Sequence, residues 1–79
     1  MVGYELQELT RSNAVYRYYP ENDKSNAGIV SFDLASNRGE VLKRADDDDF
    51  GWYSMHLLGK LEEFNASGRF ENDGYIAWY

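Results

Sequence analysis

The chain has no cysteine, and its 79 residues include a single proline (Pro20) and a single histidine (His56). Without cysteine there can be no disulfide framework, no thiolate chemistry and none of the usual cysteine-based zinc sites. No apolar run approaches the roughly 20 residues needed to cross a bilayer as a helix, so no membrane contact is expected. Neither G-x-x-x-x-G-K-[ST] nor G-x-G-x-x-G occurs, which removes the common glycine-rich phosphate loops. Positive charge is also scarce, with 8 Lys and Arg against 14 Asp and Glu and a net charge of −6.

That charge is unevenly placed. Residues 1–45 carry six acids and six bases, whereas the remainder sets Lys60 and Arg69 against eight acids. These are Asp46, Asp47, Asp48, Asp49, Glu62, Glu63, Glu71 and Asp73. A surface of this sign repels phosphate, so direct binding to nucleic acid or to an anionic membrane is not expected. A basic protein partner fits it better. What the chain has in abundance is aromatic: seven tyrosines, four phenylalanines and two tryptophans. A chain this short buries only a modest fraction of its surface. Rings that each bury roughly 150–250 Å² can supply much of its core. Homodimerisation would be another remedy. The first ten residues lack the basic and apolar character of a signal peptide, so the reading is one cytoplasmic domain over residues 1–79.

The pattern predicts an α+β domain in the order ββββαβ, an antiparallel sheet with one amphipathic helix on one face. Residues 4–9 alternate loosely. Residues 14–19 (AVYRYY) are β-branched and aromatic and stop at Pro20. Between residues 28 and 34, Val30, Phe32 and Leu34 share one face and Ser31 and Asp33 the other. A connection at residues 35–39 places Gly39 where positive φ is expected, and residues 40–45 return as a fourth strand. The period then changes. Phe50, Tyr53, Leu57, Leu61 and Phe64 form one helical stripe, expected to pack on Val30 and Phe32. Asp48 or Asp49 is the expected N-cap, Asn65 and Gly68 are stop signals, Asp73-Gly74 reads as a turn, and residues 75–79 as a last strand.

The segments AVYRYYPE (residues 14–21) and GIVSFD (28–33), the helix at 50–64 and the ending Ile76-Ala77-Trp78 together resemble a group of small bacterial proteins of unknown function. The resemblance covers most of the chain. It implies a bacterial or mobile-element origin and carries no activity or site residues with it.

Several constellations invite chemistry. A calcium loop beginning at Asp46 would have Asp48 and Gly51 in place, but Phe50 at position 5 and Leu57 at position 12, where a bidentate Glu is required. The aspartate run therefore reads as a helix cap, a loose cation site or an acidic contact surface. His56 has no nucleophile placed beside it by any motif, and Ser54 lies two residues away, off its helical face. Glu62 and Glu63 are adjacent and diverge, which suits solvation better than a catalytic pair. Tyr16 and Tyr18 share one face of their strand while Tyr19 lies on the other, so one face is core and the other a candidate aromatic contact surface.

The expectation is a non-enzymatic acidic interaction module without cofactor or bound metal. Its sharper form is a phage-type or anti-CRISPR-like inhibitor that mimics nucleic acid on a basic protein. The eight carboxylates would form one contact surface, and Tyr16, Tyr18 and Tyr19 another. A carboxylate-based metal protein or small enzyme is one alternative, and a structural homo-oligomer is the other.

Overall fold

A computed structural model describes residues 1–78. The order is β1 (Val2–Leu9), β2 (Asn13–Pro20), β3 (Gly28–Asp33), β4 (Arg38–Lys43), α1 (Trp52–Ser67) and β5 (Asp73–Ile76). This is the expected ββββαβ. The strands form one antiparallel sheet, ordered β4-β3-β2-β1-β5. The first four make a meander. The helix then crosses from the β4 edge to the β1 edge, where β5 is added.

Register decides which face is buried. Tyr4 lies opposite Tyr18 and Leu6 opposite Tyr16, while Ala14 and Tyr16 lie opposite Phe32 and Val30. A bulge between Leu6 and Glu8 lets Leu6 and Leu9, three apart in sequence, both pair with residues of the helix-facing set. Val2, Tyr4, Ala14, Tyr16, Tyr18, Val30 and Phe32 thus line one side, and Leu57, Leu61 and Phe64 of α1 close over them. Aromatic packing is edge-on: Tyr4 meets Tyr16 at 5.8 Å and 69°, and Phe64 at 6.0 Å and 63°. The two tyrosine hydroxyls leave the core by hydrogen bonding, Tyr4 to Glu71 Oε1 (2.8 Å) and Tyr16 to the Glu71 carbonyl (2.6 Å).

Several boundaries differ from the sequence reading. β1 starts two residues earlier, at Val2, and β4 spans Arg38–Lys43 rather than 40–45. Positive φ falls on Asn37, not Gly39. Gly39 sits in β4 against the Leu58 side chain, and a Cβ there would have to displace a Leu58 δ-methyl group. Asp73-Gly74 is the start of β5 rather than a turn, and β5 ends at Ile76; Tyr79 lies outside the described residues. Gly68 does end the helix, in the left-handed region at φ 76°. Asn65 does not stop it, but ties it to the β3–β4 connection through Leu34 O (2.9 Å) and Asn37 Oδ1 (3.0 Å).

Candidate functional site

The aspartate run becomes a tight turn whose members have different fates. Asp48 is buried (1% exposed), whereas Asp46, Asp47 and Asp49 are exposed. The Tyr18 hydroxyl donates to Asp48 Oδ2 (2.8 Å) and itself accepts the Ala45 amide (3.1 Å). The amide of Tyr53 donates to Asp48 Oδ1 (3.0 Å) and that of Ser54 to Oδ2 (3.2 Å). These amides belong to the first turn of α1, whose donors have no partner inside the helix. The N-cap position itself is Gly51, at φ 74°, with no side-chain hydrogen bond of its own. Asp48 therefore caps from three residues upstream. The expected capping aspartate is right in function and displaced in position, with Gly51 in the left-handed region standing at the N-cap itself.

The same geometry overturns the placement of Phe50. It precedes the helix and is 79% exposed instead of heading the buried stripe. With Asp48 drawn inward and Gly51 left-handed, the Phe50 ring is turned out to solvent against Trp52, 5.6 Å away and inclined by 33°. Trp52 (65% exposed) and Met55 (66%) lie three residues apart on the outward side of α1. A shallow cleft of about 220 Å³ is lined by Asp47, Asp48, Asp49, Phe50, Trp52 and Tyr53. A second, of about 170 Å³, is lined by Trp52, Met55 and His56. His56 stacks on Trp78 with ring centres 3.8 Å apart and planes within 8°, and Trp78 also touches Tyr53 (5.7 Å). Phe50, Trp52, Met55 and the His56–Trp78 stack thus follow one another along the start of α1. The Tyr53 hydroxyl donates to Glu21 Oε2 (2.9 Å), holding the inner side of this region to the β2–β3 loop.

The anticipated aromatic surface is not one. Tyr16, Tyr18 and Tyr19 are all buried. Tyr16 and Tyr18 lie under the helix. Tyr19, on the other sheet face, is covered by Lys24, whose Nζ is 4.5 Å from the ring centre, and donates to Glu5 Oε1 (2.9 Å). Burial is the main reason their phenols are hard to ionise: Tyr16 is pushed up to about 12, and Tyr4, Tyr18 and Tyr19 are also raised, chiefly by burial.

The eight carboxylates do not form one surface either. Asp48 is spent inside the turn, and Glu71 accepts the Tyr4 hydroxyl. Glu62 and Glu63 lie ten and eleven residues beyond Trp52, roughly 15 Å further along the axis, and Glu63 pairs with Lys60 (3.8 Å). Asp73 is on β5, at the sheet edge. What remains beside the exposed rings is Asp46, Asp47 and Asp49. None of them is in an ion pair among the described residues; Arg44 reaches only the Asp49 carbonyl, at 3.3 Å. Among the described residues no three carboxylate or imidazole groups converge as a metal centre, and no helix is long and apolar enough to cross a membrane.

Sequence reasoning missed the Trp52–Met55 pair. Its signal was present: two large apolar residues spaced by three, on the side of the helix opposite Leu57, Leu61 and Phe64. No protein-family model matches the chain, and no curated protein or solved structure is significantly similar to it.

Proposed function

We propose that the protein is a non-enzymatic protein-binding module that docks through Phe50, Trp52 and Met55, and that its partner presents a basic surface with apolar side chains. The observation that carries this is the exposure of three large apolar residues within six positions of a chain of net charge −6, beside three aspartates with no ion-pair partner among the described residues. Contiguous apolar surface rimmed by polar groups is the usual mark of a contact site, and aromatic and methionine side chains are the enriched types there. The rim sets the sign of the partner, because carboxylates left unpaired at an interface cost affinity unless cations meet them. A second copy of this chain would bring like charge to like charge at this surface, which disfavours self-association through it. An inhibitor that occupies a cationic groove is one form of this reading. Glu62, seven residues beyond Met55 and exposed, extends the same helix face along such a groove.

The test is calorimetric titration with a short amphipathic peptide of leucine and lysine, beside a control of leucine and glutamate. Binding of the basic peptide alone, lost in a Trp52→Ala/Met55→Ala variant and weakened in Asp47→Asn/Asp49→Asn, is the expected result. No binding, or binding indifferent to both variants, would sink the proposal.

A further inference from the structure

Resting on that reading, we infer that the cation recognised at this surface is a guanidinium, an arginine of the partner laid on the exposed Trp52 indole beside Asp47 and Asp49. The cleft of about 220 Å³ next to Trp52 combines the two things a guanidinium uses: ring surface and carboxylate oxygens. The ring surface is open, since Trp52 is 65% exposed and its near neighbour Phe50 is inclined to it by 33° rather than stacked flat upon it. The available acceptors are those of Asp47 and Asp49, because the Asp48 oxygens already accept Tyr18, Tyr53 and Ser54. Buried and already accepting three hydrogen bonds, Asp48 adds its charge to the negative potential and leaves the ligand's N–H groups to Asp47 and Asp49.

The shape of the site chooses between the two basic side chains. An ammonium is compact and strongly hydrated, and aromatic recognition of it works best when several rings box it in and strip its water. Here the rings of Phe50 and Trp52 are only 5.6 Å apart, which leaves no room for a cation between them, and the cleft is open to solvent. Such a platform leaves an ammonium largely hydrated, so lysine is held there through the carboxylates and gains little from the ring. A guanidinium is planar and weakly hydrated, stacks on an open indole and still directs its N–H groups sideways to carboxylates. Arg44 Nη1 donates to the Asp49 carbonyl (3.3 Å), and among the described residues neither Asp47 nor Asp49 is in an ion pair.

The experiment follows the Trp52 indole N–H by NMR while the full chain is titrated with N-acetyl-arginine amide, N-acetyl-lysine amide and N-acetyl-citrulline amide, citrulline being the neutral isostere of arginine. The expected result is weak saturable binding of the arginine probe at Trp52, tighter than lysine by about three-fold or more, with no saturation by citrulline. Asp47→Asn/Asp49→Asn should abolish the arginine preference and Trp52→Leu the binding. Both variants alter exposed side chains, so their circular dichroism should match the parent. Equal response to arginine and lysine, equal response to citrulline, or shifts at Trp78 with none at Trp52 would overturn the inference. If the single-residue probes fail while the leucine–lysine peptide still binds at Trp52 and Met55, guanidinium selection falls and the docking surface stands. If the peptide fails too, both fall.

Discussion

Asp48 ties β2 to the start of α1 through three hydrogen bonds, so its replacement should cost far more than that of any aspartate beside it. Asp48→Ala removes the acceptor of the Tyr53 and Ser54 amides, a capping loss of about 0.5–2 kcal/mol. It also leaves the hydroxyl proton of Tyr18 in the core without an acceptor, worth about 1–3 kcal/mol. The two losses share one carboxylate, and together they come to about 2–5 kcal/mol. A domain of this size shifts by about 4–8 °C per kcal/mol, so the melting temperature should fall by roughly 8–40 °C. Asp48→Asn should recover little, because an amide puts N–H groups where Oδ1 or Oδ2 now accepts. Asp46→Asn, Asp47→Asn and Asp49→Asn should be neutral or slightly stabilising, since they relieve repulsion at exposed positions. Urea denaturation of the four single Asn variants together with Asp48→Ala decides the matter. A loss at Asp48→Ala below about 0.5 kcal/mol, or an equal loss at Asp47, would refute the capping argument.

Leu61→Ala opens a cavity beneath the helix and should cost about 2–5 kcal/mol by denaturation. Phe50→Ala, by contrast, should stay within about 0.5 kcal/mol of the parent, as substitutions of exposed residues do. The buried tyrosines give the protein an alkaline limit. The folded chain holds the Tyr16 proton to about 12, whereas an unfolded phenol loses it near the ordinary value of 10. The raised folded value means stability is fully present below about pH 10 and is lost as pH rises towards and through the folded value. Denaturation midpoints at neutral pH and at steps above pH 10 should show that window, and phenolate absorbance should lag that of free tyrosine. Finally, Asp46→Asn/Asp47→Asn/Asp49→Asn should slow association with a basic peptide at low salt and leave the rate nearly unchanged at high salt.

The sequence exposed the periodic parts of the fold. Alternation at Val30 and Phe32, and the step at Leu57, Leu61 and Phe64, are strong because burial acts on every repeat. Strand order was not legible, since nothing local tells β5 to pair with β1 across the width of the sheet. Phe50 was misplaced because a spacing of three before Tyr53 looks helical until Gly51 is known to be left-handed. The tyrosines show a second limit. Alternation separates Tyr19 from Tyr16 and Tyr18, but it cannot reveal that Lys24 and Glu5 cover the ring on the far side. The site lay in the same short stretch as the aspartates. It was hidden because burial splits Asp48 from its neighbours, and sequence alone treats the four as equivalent.

The most direct measurement is a residue-by-residue NMR shift map of the chain saturated with the leucine–lysine peptide. The expected result is a footprint confined to Asp46, Asp47, Asp49, Phe50, the Trp52 indole and the Met55 methyl, with Leu9 and Tyr75 at their free positions. A footprint on β4, β5 or the uncovered face of the sheet, with Trp52 and Met55 unmoved, would contradict the account.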